Sequence, residues 1–265
     1  MHRLGAHLIS IAALGLASPV LQAQQATKIH MHADSGYAAD GLLFEPAGNG
    51  LSAALLVIHD EWGLTSSVTD QARRFANAGF VVVAIDLYRG EVALDAQRAT
   101  QLSGGLSPDD ALHDLKAAIM FLAAQPNVRR GVIGVIGWST GGAVAALRVA
   151  AGERQVSAVV INSCEPPLGV DIMGLHAAVL GNFGGCHSAL SPSALKNFTN
   201  QLMAGGVAVI TNIYPAQDGY LEKSHRPELR ATDARDAEAR TLKFLAATLH
   251  GPQESEPPTK TVTPH

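Results

Sequence analysis

The sequence predicts an α/β fold, with a mostly parallel central sheet covered by helices on both faces. Three observations carry that expectation. Six short runs rich in Val, Ile and Leu, at 53–58, 80–85, 132–136, 156–161, 177–180 and 207–213, are continuously apolar, as strands buried on both faces are. Segments with helical spacing and helix start signals lie between them. Finally, Gly137-Trp138-Ser139-Thr140-Gly141 stands directly between an apolar run and an Ala-rich segment, so that strand, tight turn and helix follow without a spacer.

The elements are read in chain order. His2 and Arg3 precede an apolar run at 8–16, and Leu21-Gln22-Ala23 then offers a small residue before a Gln-rich stretch. This is the pattern of a secretory signal peptide over residues 1–23, cleaved near Ala23. The run is shorter than the roughly 20 residues that span a bilayer. The expected mature protein is therefore soluble, periplasmic or secreted, with no stable membrane insertion after cleavage. Residues 28–46 read as an antiparallel edge hairpin. Its His30-Met31-His32 puts two imidazoles on one strand face, but no further ligand accompanies them, so they are read as half-exposed strand residues and no metal site is expected.

After the strand at 53–58, Thr65 or Ser66 caps a helix running to Ala78, and Gly79 stops it. Ser107-Pro108-Asp109 opens another, with Ser as N-cap and Pro at the first helical position, followed by Leu112, Leu115, Ile119 and Leu122 at helical spacing. The Ala-rich stretch at 142–151 is the helix after the turn. A closing helix is expected over 233–250, and the Pro-, Thr- and Glu-rich tail at 251–265 is expected to be disordered. Nothing divides the core, so residues 24–250 form one domain. At 265 residues and 47% hydrophobic, the chain can bury a core of that size, and a formal charge of −4 gives no electrostatic case for nucleic acid.

A G-x-S-x-G turn between a buried strand and a helix is the sequence form of a nucleophile elbow. A turn that tight strains the central residue and leaves no room for β-carbons around it. It would leave Ser139 exposed at a helix N-terminus.

Several further motifs, in order along the chain, resemble those of the dienelactone hydrolase family of α/β-hydrolases. His59-Asp60-Glu61-Trp62-Gly63-Leu64 resembles the family's motif after the third strand. Asp86-Leu87-Tyr88-Arg89-Gly90 resembles its signature after the next strand. Gly181-Asn182-Phe183-Gly184-Gly185 and Ile213-Tyr214-Pro215 resemble the approaches to its last two catalytic positions, and Arg226-Pro227-Glu228 with the following helix resembles its C-terminus. The resemblance covers almost all of the mature region and implies the α/β-hydrolase fold.

It also implies a triad in the order nucleophile, acid, base, and here the sequence departs from the family. The namesake enzymes carry Cys at the elbow, where this chain has Ser139. His187 falls where the acid is expected, and Asp218 where the base is expected. In one reading the roles are exchanged, with His187 as base and Asp218 orienting it, since a triad is defined by geometry rather than chain order. In a second, the catalytic function is lost and the protein is a ligand-binding scaffold. In a third, His225 folds back as base with a different acid.

By the same resemblance the oxyanion hole would use the backbone N–H groups of Thr140 and Glu61. Asp60 stands where the family has a Glu that contacts a thiol nucleophile, and is equally a residue that anchors its loop by hydrogen bonds. Tyr88 and Arg89 are candidates for contact with a substrate carboxylate. Cys164 and Cys186 follow strands that are neighbours in the parent fold, which makes a disulfide possible in an oxidising compartment, against two buried thiols. Trp62 and Trp138 flank the oxyanion loop and the nucleophile, as pocket walls or as core. The expected activity is serine hydrolysis of a small-molecule ester or lactone through an acyl-enzyme on Ser139, without cofactor.

Overall fold

The computed structural model describes residues 25–32, 38–163, 165–184, 190–214 and 231–249. Its centre is an eight-stranded sheet: β1 (Thr27–His32), β2 (Ala38–Phe44), β3 (Ser52–Ile58), β4 (Val81–Asp86), β5 (Val128–Trp138), β6 (Val156–Ser163), β7 (Ala178–Gly184) and β8 (Val209–Tyr214), in the order β1-β2-β4-β3-β5-β6-β7-β8. The expected edge hairpin is there: β1 pairs antiparallel with β2, and β2 antiparallel with β4. Every pairing from β4 to β8 is parallel. His30 lies on the outer strand with Nδ1 2.6 Å from Asp40 Oδ1. Among the described residues no group of three or more His, Cys, Asp or Glu is placed to hold a metal, and no helix is long and apolar enough to cross a membrane.

The helices form where their caps are written. For α1 (Ser66–Asn77), Thr65 is the N-cap, and Gly79 beyond its end has φ +99°, the left-handed conformation that stops a helix. For α3 (Pro108–Ala124), Ser107 caps Asp110 N–H and Pro108 sits in the first turn, with Asp109 and Asp110 favourably placed at the positive end of the helix dipole. Two helices were not anticipated: α2 (Ala96–Gly105), capped by Asp95, and α5 (Pro192–Ala204), where Ser191-Pro192 repeats the signal of Ser107-Pro108. The others are α4 (Ser139–Gly152) and α6 (Ala231–Leu249).

Strand alternation sends side chains to two separate cores. Leu56, Val83, Val135, Ile161 and Val179 pack with Leu115, Ile119 and Leu147 of α3 and α4. Leu55, Val82, Ile136, Val160 and Leu180 pack with Val68 and Phe75 of α1 and Leu245 and Leu249 of α6. Gly134 explains how closely α6 sits: a β-carbon there would come within 2.8 Å of Leu55 and 3.1 Å of Leu249.

Below the carboxyl edge of the sheet, Asn162, Asn182 and Asn212 occupy one register across β6, β7 and β8. Asn182 Nδ2 donates to Asn162 Oδ1 at 3.0 Å and to Thr241 Oγ1 of α6 at 3.1 Å, while Asn212 Nδ2 donates to Asn182 Oδ1 at 2.9 Å. Arg240 extends the row from α6, donating to Asn212 Oδ1 at 3.1 Å. This ladder fixes the relative register of the last three strands and docks α6 upon them.

Candidate active site

Ser139 is the first residue of α4, and with φ +62° it is one of two non-glycine residues in the left-handed region among those described. A β-carbon makes that conformation costly, roughly 1–2 kcal/mol, so its surroundings must enforce it. They do so through close backbone packing. A β-carbon on Gly137 would stand 2.1 Å from Gly142 O, and one on Gly142 would stand 3.2 Å from His59 O. Gly141, in contrast, faces open space. The second position packed tightly against backbone is thus Gly142, just outside the five-residue motif. Thr140 follows Ser139 in the first helical turn, where amide N–H groups have no partner within the helix. Its hydroxyl lies 3.4 Å from Ser163 Oγ at the end of β6.

The loop after β3 forms the opposite wall. Asp60 is buried, and its Oδ1 accepts from Trp62 N–H at 2.7 Å while its carbonyl accepts from Gly63 N–H at 3.2 Å. Asp60 therefore anchors its own loop. The Glu61 N–H between these bonds has no acceptor among the described residues. The side chain of Glu61 also holds a spare group, since its buried Oε2 has no hydrogen-bond partner among the described residues.

His59 joins this loop to the turn after β4. The imidazole is buried, donates through Nδ1 to Asp60 O at 2.7 Å and accepts at Nε2 from Leu87 N–H at 3.2 Å. Both nitrogens are thus used by the neutral ring. Burial lowers its pKa below 6.5, against the opposing pull of the Asp60 carbonyl and the Asp60 and Asp86 carboxylates. The Tyr88 ring packs edge-on against it, with centroids 4.6 Å apart. Burial, reinforced by the carboxylates of Glu61 and Asp60, pushes the Tyr88 phenol up to about 12, so it stays protonated at neutral pH.

Asp86 holds the turn that carries Tyr88 and Arg89, accepting from Tyr88 N–H at 3.1 Å and Gly90 N–H at 2.6 Å. Arg89, the other non-glycine residue with positive φ, at +57°, points away from Ser139. Its guanidinium donates to Ala38 O at 3.1 Å and to both oxygens of the buried Asp114, at 3.0 and 2.8 Å. Burial raises the Asp114 pKa, and the Arg89 bond and charge oppose that rise. Arg89 thus lines a separate cavity of about 290 Å³ beside His30 and Asp40.

The structure brings Ser139, Asp60, Glu61 and Tyr88 around one cavity of about 430 Å³, floored by Gly142 and closed on one side by Ser103 and Leu106. The Thr140 amide follows its serine in the chain. Trp138 is buried in the core on the opposite sheet face, against α1 and α6, and does not line the cavity. Trp62 is part-buried and secures its loop by accepting from Ala93 N–H at 2.9 Å. His187, Asp218, His225, Cys164 and Cys186 lie outside the described residues, as do the leader expected at 1–23 and the tail expected at 251–265. Sequence reasoning missed the wall from α2, whose start was signalled by Asp95, and the bridging role of His59, which only its two contacts reveal.

A strained serine between a parallel strand and a helix, at the carboxyl edge of an eight-stranded sheet, defines an α/β-hydrolase. The dienelactone hydrolase family profile matches residues 39–249, and the chain belongs to that family. A protein of Methylorubrum extorquens provisionally named carboxymethylenebutenolidase is 27% identical over 205 residues, covering 72% of this chain and 70% of its own length. Among solved structures, m3DLH superposes with a TM-score of 0.74 at 20% identity, covering 85% of this chain and 98% of its own. A dienelactone hydrolase-like promiscuous phosphotriesterase from metagenomic libraries gives a TM-score of 0.69 at 19% identity, covering 86% and 99%. The chain is a hydrolase of this family, and these structural likenesses bear on the fold.

Proposed function

We propose that this protein is an exported serine hydrolase that cleaves a small carboxylic ester or lactone through an acyl-enzyme on Ser139. The observation that carries the reading is Ser139 itself, held at φ +62° on the wall of a cavity of about 430 Å³ opposite the Glu61 loop. The curated relative's name points to a cyclic ester, and family membership supports ester or lactone hydrolysis. The leader at residues 1–23 supports a periplasmic or secreted location.

In this reading His187 takes the proton of Ser139 Oγ as the oxygen attacks the carbonyl carbon, with Asp218 orienting the imidazole. The N–H groups of Thr140 and Glu61 stabilise the oxyanion that forms. Collapse of the tetrahedral intermediate breaks the ester C–O bond, the alcohol leaves with the proton from His187, and water repeats the cycle to release the acid.

The test is hydrolysis of p-nitrophenyl butyrate by purified mature protein, with phosphonate labelling read by mass spectrometry. Ser139→Ala and His187→Ala are expected to lose at least about 10³-fold in kcat/KM, with Asp218→Ala also impaired and His225→Ala close to wild type. Loss in His225→Ala with His187→Ala intact would move the base to His225. Absence of both turnover and a labelled Ser139 would leave a ligand-binding scaffold.

A further inference from the structure

Resting on the hydrolase reading, we propose that the C-terminal turn of α2, from Ser103 to Leu106, is a movable wall of the Ser139 cavity and sets how bulky an ester the site accepts. Among the described residues, the walls of that cavity differ in rigidity. On the Ser139 side, Gly142 packs against the backbone of Gly137 and His59. Opposite, Asp60 Oδ1 accepts from Trp62 N–H, and His59 ties Asp60 O to Leu87 N–H. Displacing either wall would open the elbow or break these hydrogen bonds.

The α2 wall has no such hold. Ala99 is the one buried residue of the helix, Arg98 and Leu102 are half-buried, and the other seven positions are exposed. Its neighbour α3 buries Leu115, Ile119 and Leu122 completely. A helix that gives up so little apolar contact on opening belongs to the low end of local stability. Its two ends are also unequal. Ahead of it, Ala93 is buried and donates its N–H to Trp62 O at 2.9 Å, Val92 bridges to Gly63, and Glu91 pairs with Arg98 of the first turn. The entry is thus stitched to the loop that carries Glu61. The exit is Ser103-Gly104-Gly105-Leu106, where adjacent glycines weaken the last helical turn. A β-carbon on either would meet nothing within 4 Å, and neither has positive φ, so neither packing nor backbone conformation requires glycine there. What the pair supplies is freedom, at the turn whose Ser103 and Leu106 line the cavity. A bulky ester gains room where this turn yields, whereas a small one fits without moving it.

The experiment stiffens the turn. Gly104→Ala/Gly105→Ala adds two methyl groups in open space at helical positions, so the fold accommodates them. Hydrogen exchange read by mass spectrometry should show wild-type α2 amides exchanging at least about 100-fold faster than those in the middle of α3, and more slowly in the double variant. p-Nitrophenyl butyrate is compared with p-nitrophenyl cyclohexanecarboxylate, and ethyl butyrate with cyclohexyl butyrate, so that bulk varies on either side of the scissile bond. In at least one pair the double variant should lower the bulky-to-small ratio of kcat/KM by about tenfold, and Leu106→Ala should raise it. Reading ratios within one protein cancels any general loss of activity. Butyranilide and cyclohexanecarboxanilide, bound to Ser139→Ala protein with and without the glycine substitutions and followed by calorimetry, report the same preference without catalysis. Absent turnover with the anilide ratio shifted would sink the acyl-enzyme reading and keep the movable wall. Ratios unmoved in both ester pairs or, absent turnover, in the anilides, or α2 exchanging as slowly as α3, would overturn the movable wall while leaving the hydrolase reading to its own test.

Discussion

Two polar clusters lie near the carboxyl edge of the same sheet, and they are built to opposite ends. The ladder of Asn162, Asn182 and Asn212 with Thr241 and Arg240 links its side chains across three strands and a helix, and Asn182 is completely buried within it. The cluster above β3 and β4 is also tightly tied through His59, Asp60 and Asp86, yet among the described residues it gives Glu61 Oε2 no hydrogen-bond partner. A satisfied network fixes strand register and specifies one packing. A partly satisfied one costs stability and is retained where a ligand completes it. The difference separates the part of the polar edge that holds the fold from the part to which we assign the chemistry.

The largest effect that probes this contrast is at the elbow. Gly137→Ala would place a methyl group 2.1 Å from Gly142 O, so the strand-to-helix turn must open. A stability loss of about 3 kcal/mol or more is expected, with esterase activity gone even in whatever folds. Chemical denaturation and ester hydrolysis measure the two losses. Gly141→Ala is its control, with open space at its β-carbon and a helical position where Ala is favoured by up to about 1 kcal/mol. It should retain the wild-type melting temperature or exceed it.

Next comes the middle rung of the ladder. Asn182→Leu strips partners from Asn162, Asn212 and Thr241 at once, in a site where the native side chain is fully buried. A loss of about 2–4 kcal/mol is expected in a urea titration. Glu61→Gln, at the unsatisfied cluster, should cost little or even stabilise, because it removes a buried partial orphan's charge. If Asn182→Leu proved as mild as Glu61→Gln, the division between the two clusters would fail.

The smallest effect is the response of His59 to acid. Its folded pKa lies below the 6.5 of a free imidazole because burial disfavours the cation. Above pH 6.5 both folded and unfolded states hold it neutral, and its contribution is complete. As pH falls through 6.5 toward the lower folded value, the unfolded state takes up the proton first, and stability drops. His59→Gln should flatten the dependence of melting temperature on pH below 6.5. An unchanged slope would show that carboxylate titration alone accounts for the acid response.

Much of this protein is written locally. Continuous Val, Ile and Leu runs mark strands covered on both faces, Thr65 and Ser107 start their helices, and the Gly137-to-Gly141 motif locates the elbow, because each signal depends only on near neighbours along the chain. The same logic was available for α5 at Ser191-Pro192, where a Ser cap and a following Pro carry the same local information as at α3.

What the chain could not disclose are contacts between residues far apart in sequence. Arg89 has the chemistry to bind a carboxylate, and only packing shows that the carboxylate it binds is Asp114. Trp138 adjoins Ser139 in sequence, yet strand alternation sends its ring through to the opposite core. His59, Leu87 and Asp60 form a bridge whose members look unremarkable one by one. Local conformation is set by backbone sterics and capping within a few residues, whereas the partner of a side chain is set by which strands and helices the tertiary fold brings side by side.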